Sequence, residues 1–180
     1  MFSRLPYHSA SIVKITEAAG VAHGTFYLYF TSKQQIFEEL IDDLDHRVRQ
    51  TMAIESGRGR NRAEQEQLGF QAFFRFTAEH PGLYRAVRQA EFVAPGSVRR
   101  HYERIAEGYT KGLADAMAAG EIPPTNPPTN PEVLAWCLMG VAELVGMHWV
   151  LWNDSRPVPP DILSDCLAFV QRGLGVAAVR

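Results

Sequence analysis

Between Gly20 and Lys33 the chain carries side chains that can donate hydrogen bonds to an anion, placed beside two phenylalanines. Phe26 and Phe30 lie four residues apart, so both would face inward on a short helix. This leaves the other faces of that helix to His23, Thr25, Tyr27, Leu28 and Tyr29. Several of these side chains can donate to phosphate oxygens or to base edges, and the DNA major groove admits one helix of this width.

A second helix is predicted immediately before this segment. From Ser11 to Ala19, the apolar residues Ile12, Ile15 and Ala19 recur at spacings of three and four, which gives one buried face. Gly20 can adopt the positive φ that ends a helix. Two short helices joined by such a tight turn have the layout of a helix-turn-helix.

The segment Ile15 to Phe37 resembles the DNA-binding motif of TetR-type transcriptional repressors. Thirteen residues fall in register with that motif: Ile15, Ala19, Gly20, Val21, Gly24, Thr25, Phe26, Tyr27, Tyr29, Phe30, Ser32, Lys33 and Ile36. The resemblance implies that DNA contacts lie between Lys14 and Lys33. It places Thr25, Tyr27, Tyr29 and Lys33 on phosphates, whereas His23 and Leu28 are expected to vary with operator sequence.

The same family places a complete helix before this motif. Here the sequence starts at Met1-Phe2, and Phe2 resembles the last buried aromatic residue of that first helix. The resemblance therefore implies a DNA-binding domain whose first helix is largely missing. It leaves open an alternative function, a sensor or interaction module of the TetR fold that does not bind DNA.

Composition is ordinary for a globular chain of 180 residues, with 46% apolar and 21% charged residues. The formal net charge of −2 argues against a protein that coats nucleic acid non-specifically through positive charge over its whole surface. The first 37 residues nevertheless carry three basic residues against one acidic residue, and an acidic run follows at Glu38, Glu39, Asp42, Asp43 and Asp45. That run is expected to face away from bound DNA.

The rest of the chain is predicted to be helical, which makes the fold all-α. Helices are expected from Thr31 or Ser32 to just before Ser56, and over 62–79, 81–92, 95–119, 131–152 and 161–173. Ser32 or Thr31 can form a capping box with Gln34 or Gln35, and Asn130 can cap a helix that begins with Pro131. We predict a helix-turn-helix domain over 1–45 and a ligand-binding and dimerisation domain over 46–180.

The helix over 131–152 carries too many apolar residues for one buried face. Apolar side chains lie on most sides of this helix: Val141, Leu144, Val145, Trp149 and Leu151. Small residues such as Gly140 allow another helix to approach closely. Together with the family resemblance, this predicts a homodimer through 131–152 and 161–173. A central helix of a monomer is the alternative.

No membrane span is expected, because the apolar segment Leu134–Trp152 is short and is interrupted by Glu143 and His148. No signal peptide is evident either, so a cytoplasmic location is predicted. Cys137 and Cys166 do not form a disulfide framework and are interpreted as two buried thiols.

A small-molecule effector is the partner expected in the second domain, whose helices are rich in aromatic and methionine residues. Most of these residues are expected in the core, and a subset could line a pocket with a few polar groups. The candidate ligand-binding residues are Phe73, Tyr84, Arg88, Tyr102, Tyr109, Glu143, Met147 and His148. The planar fork of Arg88 suits a carboxylate or phosphate, which favours an apolar effector with an acidic end, either an acyl-type or an aromatic acid, or its coenzyme A ester. A surface salt bridge of Arg88 with Glu91 or Glu79 is the alternative.

Enzyme motifs are sparse. There is no Gly-rich phosphate loop, no His-Glu-x-x-His pair and no zinc-type cysteine spacing. We therefore expect no catalytic residues, no cofactor and no metal site.

Overall fold

The computed structural model describes residues 6–153 and 156–176, and every regular element in those ranges is helical. Phe2 lies outside the described residues, and so does the segment for which a largely missing first helix is expected. A 3-10 turn at Tyr7–Ser9 precedes the first helix. The helices are α1 Ile12–Ala19, α2 His23–Phe26, α3 Lys33–Ser56, α4 Arg62–Glu79, α5 Pro81–Val93, α6 Pro95–Ala118, α7 Pro131–Gly146 and α8 Pro160–Leu174.

Local capping chemistry fixes the ends of α1. The Ser11 hydroxyl accepts from the Lys14 amide at 3.2 Å and so caps the amino terminus. At the other end Gly20 adopts a φ of 70°, a left-handed conformation that costs glycine little. This reversal lets α2 pack back on α1, with Ile15 and Phe26 buried.

The start of α3 is also set by its own side chains. The Ser32 hydroxyl accepts from the Gln35 amide at 3.1 Å. In return the Gln35 side-chain oxygen accepts from the Thr31 amide at 2.7 Å. The predicted reciprocal capping is therefore present, with one difference from a standard capping box. The Gln35 side chain accepts from the backbone N–H of Thr31, one residue before Ser32.

Two compact units can be distinguished in the chain. The first comprises Met1–His46 and His80–Tyr102, and the second comprises Arg47–Glu79 and Glu103–Arg180. The first segment of the first unit ends close to the expected boundary after residue 45, but this unit also includes α5 and the start of α6. A functional division into DNA-binding and ligand-binding domains stays a prediction.

The core of the second unit is built from α4, α6, α7 and α8. Phe70 and Phe74 of α4 pack in one cluster with Leu113 of α6, Leu138 of α7 and Val170 of α8. A methyl group added at Gly146 would lie 3.3 Å from the Phe73 ring, so this glycine lets the end of α7 approach α4 closely.

The end of α7 changes its hydrogen-bond register and continues as a π-helical turn at Met147–Leu151. By length and composition alone, Pro131–Leu151 could cross a membrane, with a mean hydropathy of 1.6. The helix is longer than the sequence analysis allowed, because it begins at Pro131 and its charged residues are only Glu132 and Glu143, but a single helix of this kind is weak evidence for a membrane span because a core helix meets the same criteria. Only 22% of the apolar window is buried within the chain, and many of its other residues are half-buried.

Candidate functional site

The helix-turn-helix exposes the side chains that the sequence singled out. Tyr27, Leu28 and Tyr29 are 54%, 79% and 72% exposed, and His23 is exposed as well. Phe26 is 4% exposed and holds α2 against the core. Large exposed aromatic and apolar groups this close together make this surface a candidate site of contact with another molecule.

These exposed residues do not all lie on α2. The helix ends at Phe26, and Tyr27, Leu28 and Tyr29 follow in a turn where Leu28 N–H donates to the Thr25 carbonyl at 3.2 Å. The Tyr27 ring packs edge-on against two rings of α2, with its centroid 5.6 Å from that of His23 and 5.3 Å from that of Phe26. Thr25 is half-buried at the same place.

The two lysines of this region differ in their surroundings. Lys14 is exposed, and its ammonium donates to the Ser9 carbonyl at 3.0 Å. Lys33 is half-buried and donates to the carbonyls of Tyr7 at 3.0 Å and Ala10 at 2.8 Å. Both lysines therefore bind the turn that precedes α1, and Lys33 is held more firmly.

The acidic run on α3 does not form a uniform exposed patch. Glu39 and Asp43 are exposed, whereas Asp45 is 1% exposed and its carboxylate lies 3.1 Å from Nδ1 of His101. The sequence could not distinguish Asp45 from its neighbours, because its partner lies on α6, far along the chain. An outward-facing acidic surface is therefore limited to the other members of the run.

The candidate ligand-binding residues divide between the two units. Tyr84, Arg88 and Tyr102 belong to the first, and the other five belong to the second: Phe73, Tyr109, Glu143, Met147 and His148. Arg88 forms the salt bridge that the sequence offered as its alternative, with Glu91 at 2.7 Å. His148 lies exposed on the π-helical turn, with its ring centroid 4.3 Å from that of Trp149. Their role in ligand binding stays a prediction.

A buried polar cluster surrounds Tyr109, and two of its members were missed by the sequence. Arg62 is 6% exposed and Glu66 is 2% exposed, and the Arg62 Nε donates to the Glu66 carboxylate at 2.7 Å. The Tyr109 hydroxyl donates to the same carboxylate, and the guanidinium lies 5.3 Å from the Tyr109 ring centroid. An Arg and a Glu four apart in a first helical turn resemble an ordinary surface pair, so only the α6 packing identifies them.

Burial raises the pKa of Tyr109 well above its usual value, and the neighbouring Glu66 carboxylate raises the pKa further. Tyr109 is partly exposed as a residue, but its hydroxyl bonds to a carboxylate that is almost fully enclosed. The phenol is therefore a hydrogen-bond donor at all ordinary pH values. Within the described ranges no three His, Cys, Asp or Glu side chains are grouped as metal ligands would be.

Sequence comparison identifies the amino-terminal domain. Residues 1–40 match the domain described as bacterial regulatory proteins, tetR family. A curated relative, the uncharacterized HTH-type transcriptional regulator YdgC of Bacillus subtilis (strain 168), is 42% identical over 59 residues. That match spans 31% of this chain and 30% of the relative's length.

Structural comparison extends the likeness over nearly the whole chain. The fatty acid degradation regulator FadR from Bacillus halodurans has a TM-score of 0.80 at 20% identity, with 96% of this chain and 93% of that chain covered. FadR from Bacillus subtilis in complex with stearoyl-CoA has a TM-score of 0.79 at 20% identity, covering 97% and 91%. Salmonella enterica GusR has a TM-score of 0.79 at 20% identity, with 97% of this chain and 89% of that chain covered. At these identities the likeness establishes the all-α fold.

Proposed function

We propose that this chain, a transcriptional regulator of the TetR family, represses transcription by binding operator DNA as a two-fold dimer and is released by an acyl-type effector. The observation that carries the DNA-binding part is the exposure of Tyr27, Leu28 and Tyr29 beside the buried Phe26. Because Phe26 anchors the motif, the exposed side chains are presented in a fixed geometry. The protein would act in the cytoplasm, where the operator is.

Contacts to the phosphates are assigned to Lys14, Thr25, Tyr27 and Tyr29, all of which can donate a hydrogen bond. Phosphate contacts set affinity and its salt dependence, whereas base contacts set specificity. His23 and Leu28 are assigned to base edges, since Leu28 is 79% exposed and has an apolar surface that suits a thymine methyl group.

Dimerisation is supported by apolar surface on α7 and α8 that the chain itself leaves uncovered. Val133, Trp136 and Leu144 of α7 are 55%, 44% and 61% exposed, and Phe169 of α8 is 60% exposed. A methyl group added at Gly140, between Trp136 and Leu144, would meet no atom within 4 Å. This open small residue within an apolar stripe would allow close approach of a second copy, and two-fold symmetry would bring the same stripe from the partner.

An effector with an apolar body and an acidic end is supported by composition and by fold. The second unit is rich in half-buried aromatic and methionine side chains, such as Phe73 and Met147. Two solved structures with this fold are fatty acid regulators, one of them with stearoyl-CoA bound. We therefore propose a long-chain acyl thioester or its free acid as the effector.

The DNA-binding proposal can be tested without knowing the operator. The purified chain is mixed with a library of random-sequence duplexes, and the bound molecules are sequenced after several rounds of selection. We expect an inverted repeat whose half-sites lie about one helical turn apart, roughly 10 base pairs, or a multiple of it. Enrichment of no sequence would contradict the proposal and would favour a sensor module that does not bind DNA.

A further inference from the structure

The turn from Tyr7 to Ala10, which we call the amino-terminal turn, leads directly into α1. Its carbonyl groups point toward basic side chains of the motif. Within the turn, Ala10 N–H donates to the Tyr7 carbonyl at 3.2 Å. Ala10 itself is 1% exposed, so water has little access to this residue. The polar atoms of such an enclosed backbone require donors from the protein.

Lys33, the first residue of α3, supplies two of those hydrogen bonds. Its ammonium donates to the carbonyls of Tyr7 and Ala10, and its nitrogen also lies 4.1 Å from the Tyr7 ring centroid. An ammonium group has three N–H donors, and here two are used by carbonyls while the aromatic face lies alongside. Lys33 is half-buried, in contrast to the exposed Lys14.

The amino-terminal turn is also held from α5. Tyr7 N–H donates to the Gln89 side-chain oxygen at 2.7 Å. The Tyr7 ring packs edge-on against Phe37, with the ring centroids 5.0 Å apart. The turn is therefore fixed to α3 through Lys33 and Phe37, and to α5 through Gln89. All of these residues belong to the first unit.

We infer that Lys33 is a positioning residue that holds the amino-terminal turn, and with it the start of α1, and that it does not contact phosphate. This inference revises the role that the family resemblance implies for Lys33, and it rests on the proposed DNA binding. Two of the three N–H groups are donated to the Tyr7 and Ala10 carbonyls and the ammonium lies against the Tyr7 ring, so a reach toward phosphate would have to break one of these contacts. Lys14 carries no such penalty, because its bond to Ser9 lies at the exposed surface.

The test measures how tightly each variant binds a fluorescein-labelled duplex over a series of KCl concentrations. The duplex is one that the unmodified chain has selected from a random-sequence library. We expect Lys33→Met to weaken binding by about tenfold, the loss of roughly one charge-assisted hydrogen bond, at every salt concentration. The slope of log affinity against log salt should not change. Lys14→Met should instead reduce the slope by about 0.9, as expected for one lost phosphate contact.

Lys111→Met is the matched control, because Lys111 is an exposed lysine of the second unit paired with Asp115. This variant should bind like the unmodified chain. Lys33→Arg retains a cation with several donors and should recover part of the lost affinity, which separates positioning from general destabilisation. Circular dichroism at the assay temperature verifies that each variant is folded. A Lys33→Met slope lower by about 0.9 would overturn the inference.

Amide hydrogen exchange gives a second readout that needs no DNA. Lys33→Met should increase the exchange rates of the Tyr7 and Ala10 amides at least fivefold and leave those of α8 unchanged, because only the amino-terminal turn loses its donor. Unchanged exchange at Tyr7 and Ala10 would overturn the inference. If the unmodified chain selected no duplex, the proposed DNA binding would fail while this measurement still decided whether Lys33 holds the turn.

Discussion

At the scale of single residues, Glu66 shows how a carboxylate is kept inside the second unit. It is 2% exposed and accepts hydrogen bonds from Arg62 and from the Tyr109 hydroxyl. A carboxylate without donors in such a place would be strongly destabilising. Arg62 is fixed in turn by its backbone N–H, which donates to Glu121. The cluster therefore joins α4, α6 and the residues that follow α6.

The Tyr109 proton predicts how stability changes at alkaline pH. The pKa of Tyr109 is raised in the folded chain, so above about pH 10 the unfolded chain loses this proton and the folded chain keeps it. The stabilisation is complete below the unfolded pKa and declines as pH rises, by up to about 1.4 kcal/mol per pH unit. We expect Tyr109→Phe to be less stable than the unmodified chain at pH 8 by about 1–3 kcal/mol and this difference to shrink above pH 10.

Urea unfolding at pH 8, 9.5 and 10.5 measures this difference directly. Tyr29→Phe is the control, because Tyr29 is 72% exposed and the substitution removes the same hydroxyl from the surface. Its difference from the unmodified chain should stay near zero throughout. A constant difference for Tyr109→Phe over the three pH values would contradict a raised pKa.

At the scale of elements, helix ends were predictable from sequence because the responsible contacts are local. The predicted range 62–79 agrees with α4 as observed, and Asn130 caps α7 by accepting from Glu132 N–H at 2.8 Å. The helix-turn-helix was recognisable for the same reason. Whether a given side chain is buried was harder to predict from sequence. Cys137, predicted to be buried, is exposed, whereas Asp45 in the acidic run is buried. These outcomes depend on partners distant in sequence.

The candidate site follows the same division. The exposed residues of the motif, such as Tyr29, could be identified because Phe26 and Phe30, four residues apart, indicate which side of the segment faces inward. The partners of Lys33, and the contact between Glu66 and Tyr109, could not be identified, since these residues lie 23 or more positions apart. A lysine in a family motif gives no indication of whether its ammonium is held by a carbonyl or left to meet a phosphate.

The exposed stripe on α7 leads to a prediction about assembly. Leu144 is 61% exposed, so Leu144→Glu should leave the monomer fold intact while placing two like charges in a symmetric interface. We expect a two-fold dimer for the unmodified chain and a monomer for this variant. Light scattering at micromolar concentration measures both masses, and circular dichroism verifies the helix content. Val145 is less suitable, because it packs against the core of the second unit.

Ile54→Glu is the matched control for assembly. Ile54 is 53% exposed on α3, so the same charge enters a comparable surface position outside the stripe. This variant should remain a dimer. A monomer mass for the unmodified chain would refute the interface, and a dimer mass for Leu144→Glu would move it away from α7.

At the scale of the whole molecule, regulation requires that the effector bind one conformation better than another. A ligand with equal affinity for the DNA-competent and DNA-incompetent states shifts nothing, however tightly it binds. A ratio of roughly 100 between the two states, about 2.7 kcal/mol, would suffice for a usable switch. Since α3 starts in the motif unit and ends in the second unit, we expect this helix to transmit the change.

The effector prediction can be decided by thermal shift and by DNA release together. The chain is screened against stearoyl-CoA, free long-chain fatty acids, aromatic acids and cationic dyes, with coenzyme A alone as the control for the headgroup. At about 100 times its dissociation constant, a true effector stabilises the fold by roughly 2.7 kcal/mol and raises the melting temperature accordingly. We expect the acyl thioester or the fatty acid to do so and to weaken binding of the selected duplex.

The acidic end of the effector is the part of this prediction most open to refutation. A thermal shift with cationic dyes alone would overturn the preference for an acid, because few carboxylates accompany the aromatic residues. Stabilisation by the acyl thioester with unchanged DNA affinity would identify a bound lipid that does not regulate, since binding alone carries no preference between the two states.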